Sequence, residues 1–431
     1  MTAPVAYGVD FGTTNSSIAI AYPDLVQVLD IETEGVLSCL PSIAYLHRSG
    51  DQLAGMAAVQ QYLVAGSHET RCPACDLGPR RTDCKQFRNR TGGCNNARLI
   101  SGLKSYLSRP DFESTHSWAV DFSPSDLVGV VLRRLKRAAD AACGSNVHRA
   151  VLGYPVAFVG SEGPEFESRQ ELALDRLQRA AGEVGFDEIE LFPEPAAAIV
   201  KERFEDGVVL ALDFGGGTFD VAAVRFERGE GEVIALKGVG IGGSQFDQIL
   251  FNQKVAPALG LESLPLWLLN ELGTLSSLGW LLSDPNAQWA LSKSRGEGAR
   301  LLERIIFGGH AYGFYRAIED AKVSLSTNEE ATIQFFRPGG IDVSIPVRRL
   351  EFESFIRPEL ESIHDTVYAA LEQADITAKD VAAVVRTGGS GSIPAFAHWV
   401  EDQFGVEKTL DRPAFSSVVN GLGIRAQELW G

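Results

Sequence analysis

Two stretches of the chain share one pattern of apolar and polar positions. In YGVDFGTTNSSIAIAY (residues 7–22) and LALDFGGGTFDVAAVR (residues 210–225) an apolar run ends in Asp-Phe-Gly, small residues follow, and apolar positions return in alternation. Period-two alternation marks strands, so each stretch predicts a β-hairpin whose tight turn exposes backbone N–H groups. Three consecutive glycines, Gly215, Gly216 and Gly217, are of no use to a core strand and serve a close approach to the backbone. Asp10 and Asp213 hold equivalent places 203 positions apart. That separation fits two related lobes rather than a solenoid, whose period is about 20–50 residues.

Helical spacing appears elsewhere. PSDLVGVVLRRLKRAADAA predicts a helix with Leu127, Val130, Val131, Leu135 and Ala138 on its apolar face. RAVLGYPVAF reads as a buried strand, and SRQELALDRLQRAAGEVG as a helix with Gly185 near its end. In EFESFIRPELESIHDTVYAALEQA the apolar stripe Phe352, Phe355, Ile356, Leu360, Ile363, Val367 and Leu371 predicts a core helix.

Composition narrows the class. A chain of 431 residues, 45% hydrophobic and 22% charged, is globular and long enough for several domains. The net charge of −17 disfavours non-specific binding to nucleic acid or to an anionic membrane. The N-terminus lacks the basic region of a secretory signal, and no apolar run reaches the roughly 18 residues of a membrane span, so a cytoplasmic protein is expected. Six cysteines in this length do not make a disulfide framework.

The hairpins suggest a chemistry. Backbone N–H groups and threonine hydroxyls form concave anion sites, and two such turns facing one another could cradle a polyphosphate. Asp10 and Asp213 would repel phosphate unless they shared a cation, and Mg²⁺ takes one or two carboxylates together with waters and phosphates.

Six motifs then occur in one order: GVDFGTTNS, LDFGGGTFDVA, FPEPAAAIV, GVGIGGSQFD, IEDAKVSLST and VVRTGGSGSIPAF. Together, from residue 7 to residue 396, they resemble the nucleotide-binding domain of the heat-shock 70 (DnaK-type) chaperone family of the actin-like ATPase superfamily. The resemblance implies an α/β, actin-like (ribonuclease H-like) fold with two lobes, each a mixed five-stranded sheet core plus an outer subdomain. Lobe I would span 1–207, with core 1–37 and 118–207 and outer part 38–117. Lobe II would span 208–431, with core 208–247 and 346–431 and outer part 248–345. The motifs end with the ATPase portion, which implies a short member without the family's peptide-binding domain.

The same resemblance implies the site. Asp10 and Asp213 would hold Mg²⁺ through water, with Glu194 as a further carboxylate. Gly12, Thr13, Thr14 and Asn15 would meet the phosphates, as would Gly215, Gly216 and Gly217. Thr218 and Asp220 would orient the attacking water or share its proton. Lys104, in ARLISGLKSYLSRP, would meet the γ-phosphate. Gly242 and Gly243 form the glycine pair before Phe246 and Asp247. Glu319, Lys322, Ser326, Gly388, Gly389 and Ser390 would contact ATP or ADP from the adenosine side. Val323 and Ser392 stand where the family often carries basic residues, which implies nucleotide affinity about ten- to a thousandfold below that of a full-length chaperone.

Four cysteines, Cys72, Cys75, Cys84 and Cys94, form C-x2-C-x8-C-x9-C in a basic insert at 66–100. Their number and first spacing suit a tetrahedral zinc site, with an iron–sulfur cluster or no metal as alternatives and His68 as a substitute ligand. Cys39 and Cys143 read as ordinary buried cysteines. The function expected is an ATP hydrolase acting as a nucleotide-driven, chaperone-like switch on a protein partner, itself a monomer. An actin-like nucleotide-binding scaffold is the alternative; a sugar kinase lacks a matching signature.

Overall fold

The fold is described from a computed structural model, which covers all residues except 1–2, 33–38, 48–49, 68–96, 118–119, 162, 203, 263, 278–284, 294–295 and 413–415. The chain divides into two compact units. The inner unit holds 1–42, 102–243 and 358–431; the outer unit holds 43–101 and 244–357.

The inner unit contains two sheets of the same plan. In the first, β1 (Ala6–Phe11), β2 (Asn15–Ala21) and β3 (Val26–Val28) form an antiparallel meander, and the short β4 (Leu40–Pro41) pairs with the start of β2. Helix α1 (Pro124–Cys143) leads to β5 (Arg149–Tyr154), parallel to β1, and helix α2 (Phe166–Glu183) leads to β6 (Glu188–Pro193), parallel to β5. Helix α3 (Glu194–Val200) closes this half. The second half repeats it: β7 (Gly207–Phe214), β8 (Phe219–Glu227) and β9 (Glu230–Val239) form the meander. Helix α4 (Arg357–Gln373) leads to β10 (Val381–Thr387), parallel to β7, and α5 (Pro394–Phe404) leads to β11 (Thr409–Asp411). Helix α6 (Ser417–Trp430) closes the chain. The spatial orders are β6-β5-β1-β2-β3 and β9-β8-β7-β10-β11.

The closing helices are exchanged. Ala196 and Ile199 of α3 pack with Val209, Ala211, Ala222 and Val385 of the second sheet. Val418, Leu422 and Ala426 of α6 pack with Ala6, Ala21 and Val151 of the first sheet and with Ala197 and Ala198 of α3. Gly421 makes this approach possible, because a Cβ there would run into the backbone of Ala197. A Cβ on Gly8 would likewise enter the backbone at Leu422 and Gly423.

Local signals explain the elements. Ser123 caps α1 by accepting the Asp126 N–H while Asp126 accepts the Ser123 N–H, Pro124 opens the first turn, and Gly144 at φ 67° ends the helix. The predicted face of α1 is buried at Leu127, Val130, Val131 and Leu135, with Ala139 in place of Ala138. The stripe read as one helix over 351–374 is two, Arg349–Phe355 and Arg357–Gln373. Pro358 has no N–H and excludes a continuous helix, but it is at home in the first turn of a new one. The stripe survives the break, with Phe352, Ile356, Leu360, Ile363, Val367 and Leu371 buried.

In the outer unit a three-stranded sheet (Gln52–Ala54, Ala44–His47, Ala97–Ile100) carries the helix Met56–Ser67. Tyr45, Ala58, Val59 and Tyr62 form a core there with Leu99 and, from the second segment, Leu275 and Tyr312. The rest is mainly helical, with the hairpin Glu330–Arg337/Ile341–Arg348, whose second strand alternates buried and exposed positions throughout, before its last helix, Arg349–Phe355. No described helix is long and apolar enough to cross a membrane.

Candidate functional site

The two hairpin turns of the inner unit face one another. A Cβ on Gly216 would strike the Thr14 side chain, and one on Gly217 the Thr13 side chain. Gly242 touches the second turn so closely that a Cβ would fall on the backbone of Gly216 and Gly217. Gly388, at φ 82°, lies against the Phe214 backbone. Of the glycines expected from sequence to line a cradle, Gly216, Gly217, Gly242 and Gly388 are therefore required by close approach, Gly388 also by its positive φ, whereas Gly215 and Gly389 have room for a Cβ.

Four carboxylates gather at the strand ends beside these turns. Asp10 and Asp213 are the penultimate residues of β1 and β7; in register, Asp10 opposes Ser17, and Asp213 opposes Asp220. Glu194 begins α3 and is 6% exposed. Its partner is Lys104, 4% exposed, whose Nζ lies 2.5 Å from Oε1. Among the described residues this is a fully enclosed ion pair, a costly arrangement that persists where geometry and function demand it. Burial, and then the Glu194 charge, push Asp10 up to about 8, with Lys104 opposing and a hydrogen bond from Ser17 helping the charged form. Burial and the charges of Glu194 and Asp220 push Asp213 up to about 8. Asp220 rises to about 7 by burial, although its Oδ2 accepts the Thr218 hydroxyl at 2.7 Å and its Oδ1 the Ala157 N–H at 3.1 Å. Four carboxylates facing one ammonium leave this cluster short of positive charge.

The turn that carries Lys104, Leu103–Tyr106, follows Gly102 at φ 65°. Its far side is held by Arg176 of α2, whose guanidinium donates to the carbonyls of Tyr106, Leu107, Arg109 and Phe112 at 2.9–3.1 Å. Ser108 adds a bond to the Val159 carbonyl at 2.5 Å. The structure thus brings Asp10, Lys104, Glu194, Asp213, Thr218 and Asp220 into one cluster, beside Thr13, Thr14 and the glycine turns. Asn15 sits at the start of β2, paired with Pro41.

Glu319, Lys322 and Ser326 belong to the outer unit, at the end of the helix Ala311–Ser324 and just beyond it. There Lys322 Nζ meets Asp247 at 2.8 Å and Glu319 meets Arg316 at 2.8 Å. Val323 is exposed, and the Ser392 hydroxyl donates to the Gly389 carbonyl. The cysteines Cys72, Cys75, Cys84 and Cys94, and His68, lie outside the described residues. Among the described residues no cluster of His, Cys, Asp and Glu suits a metal ion by itself. Cys39 is buried as expected, whereas Cys143 is half-buried, with its sulfur 3.3 Å from the Tyr7 hydroxyl.

Sequence reasoning missed Ser17, Arg176 and Thr387. Thr387 is the register partner of Asp213, and its buried hydroxyl has no hydrogen-bond partner among the described residues. The pairing of repeated strands could have found Ser17, since it stands in β2 where Asp220 stands in β8. Arg176 acts across 64–70 positions and left no local signal.

Comparison with known proteins agrees with this arrangement. The sequence model of the Hsp70 protein family matches residues 6–258 and 313–426. The chain is 27% identical over its whole length to the chaperone protein HscA homolog of Methylobacillus flagellatus, covering 60% of that protein. It is 24% identical, over 98% of its length, to the chaperone protein DnaK of Thermosipho melanesiensis and to the mitochondrial heat shock protein SSC3 of Saccharomyces cerevisiae, covering 59% and 58% of them. The chain thus spans about three fifths of the length of these relatives. With most of its residues matched and a duplicated α/β core, the chain belongs to the Hsp70 family and has its actin-like ATPase fold.

Proposed function

We propose that the chain binds ATP with Mg²⁺ at the loop cluster of the inner unit, hydrolyses the γ-phosphate, and acts as a nucleotide-driven switch on a protein partner. The observation that carries this is the charge-deficient cluster of Asp10, Glu194, Asp213 and Asp220 around Lys104, set beside two turns in which Gly12, Gly216 and Gly217 have no room for a Cβ. Such a donor set fits a hard divalent cation with its waters. Bound Mg²⁺ would neutralise charge on the carboxylates and phosphate oxygens alike. Asp10 and Asp213 would hold it through water.

The remaining work belongs to the chain. Thr13 and Thr14 offer N–H and hydroxyl donors to the β- and γ-phosphates, and the Gly215–Gly217 turn offers its N–H groups. Lys104, fixed by Glu194, brings positive charge to the γ-phosphate. The Thr218 hydroxyl already donates to Asp220, so its oxygen is free to accept a hydrogen bond from an incoming water. The water oxygen forms a bond to the γ-phosphorus, the bridging P–O bond breaks, and ADP leaves with that electron pair. Asp220, near 7, is suited to take the water's proton at neutral pH. Glu319, Lys322 and Ser326 are proposed to serve the adenosine end. A client protein is proposed from the chaperone names of the relatives.

Single-turnover hydrolysis of ATP with Mg²⁺ tests this. The wild type is expected to hydrolyse. Lys104→Ala and Thr218→Ala are expected to retain nucleotide and lose at least about tenfold in rate. A wild type that binds nucleotide without hydrolysing it would instead favour a scaffold.

A further inference from the structure

Each phosphate turn is gripped from outside by one serine hydroxyl, on the same atom of the repeat. Ser42 Oγ donates to the Gly12 carbonyl at 2.7 Å, and Ser390 Oγ donates to the Gly215 carbonyl at 2.9 Å. Gly12 and Gly215 are equivalent: each follows the Asp-Phe of its hairpin. The serines are not equivalent. Ser42 follows β4 in the first half, whereas Ser390 follows β10 in the second. Ser42 is wholly buried and its N–H also donates to the Thr14 carbonyl at 2.8 Å, so this residue spans the Gly12-Thr13-Thr14 turn at both ends. Ser16 Oγ lies 2.7 Å from Ser42 Oγ, which fixes the hydroxyl further.

A trans peptide is planar, so its C=O and N–H point in opposite directions. Holding the Gly12 carbonyl outward therefore turns the Thr13 N–H the other way. Holding the Gly215 carbonyl does the same for the Gly216 N–H. A glycine turn without such a hold can rotate its peptide planes at little steric cost. We propose that Ser42 and Ser390 are paired positioning residues that aim the Thr13 and Gly216 N–H groups at the phosphates. The inference rests on the nucleotide reading above. It makes the two loops preorganised anion sites, and the duplication is one of function reached by different side chains. Gly215 O has a second donor, the Gly243 N–H at 3.1 Å, so Ser390 is the less critical of the two.

The test is calorimetric binding of Mg-ADP and of adenosine to the full chain and its variants. For Ser42→Ala the ADP affinity is expected to fall about tenfold, with adenosine affinity within about twofold of wild type, and for Ser390→Ala the ADP affinity is expected to fall about threefold. Ser390→Thr, which keeps a hydroxyl, stays close to wild type. Unchanged ADP affinity in both alanine variants would overturn the inference, as would a parallel fall for ADP and adenosine in Ser42→Ala, which marks general loosening. Should Ser42→Ala fail to fold, Ser42→Cys, nearly the same in shape but a weaker donor, decides by the same two affinities. A wild type that binds neither ligand would sink the nucleotide reading itself, a result distinct from either.

Discussion

At the scale of single residues, the raised carboxylates make the cluster a strained ground state. Asp10 and Asp213 are pushed up to about 8 by burial and by one another's neighbours, so the ligand-free fold bears the cost of holding them together. Asp10→Asn should relieve part of it: the ligand-free chain is expected to gain stability of the order of 1–3 kcal/mol, read as a higher unfolding midpoint, while Mg-nucleotide affinity falls. A lower midpoint would show that the carboxylate is structurally needed. Glu202 is the opposite case. Its oxygens accept Arg412 at 2.5 and 2.8 Å, and that hydrogen-bonded pairing holds it below its ordinary value of 4.5. A depressed carboxylate contributes stability that is present above its unfolded pKa and is lost as pH falls through its folded one. Glu202→Gln should cost about 1–3 kcal/mol at pH 7, and the gap from wild type should close as pH falls through its lowered folded value, below the ordinary 4.5. Denaturant unfolding at pH 7 and below that folded value reads this; a gap that stays constant would assign the cost to packing instead.

At the scale of elements, the site depends on turns held by distant side chains. The hairpins were legible because alternation and the repeated Asp-Phe-Gly are local signals. β1–β2 and β7–β8 form where the pattern placed them. Helices α1 and α2 follow the 3.6 spacing, and Ser123 caps the first. The break at Pro358 was also written in the sequence, but the unbroken apolar stripe concealed it. What sequence could not supply was long-range support. Nothing near Lys104 announces that Arg176 will grip four carbonyls of the following turn. A planar fork can do this and an ammonium cannot. Arg176→Lys is therefore expected to lower the rate of hydrolysis severalfold through Lys104, with nucleotide affinity nearly unchanged. An equal fall in both would show that α2 supports the whole cluster rather than the lysine turn.

At the scale of the whole molecule, duplication is the organising fact. Two sheets of one topology, with closing helices α3 and α6 exchanged between them, bring Asp10 and Asp213 into one electrostatic cluster. The sequence made the repeat visible, because each half keeps its own Asp-Phe-Gly turn. It did not reveal the exchange of closing helices, since small residues such as Ala197 and Gly421 carry no pattern until they are seen in contact. Residues 259–312 of the outer unit fall between the two segments matched by the family model. The central claim is that the two repeated turns build a single Mg-nucleotide site. Equilibrium binding of ADP, with and without Mg²⁺, to wild type, Asp10→Asn and Asp213→Asn tests it most directly. The account predicts Mg²⁺-dependent binding of one ADP per chain, weakened at least about tenfold by either substitution although they lie in different halves. Binding that ignores Mg²⁺, or that responds to only one of the two aspartates, would contradict it.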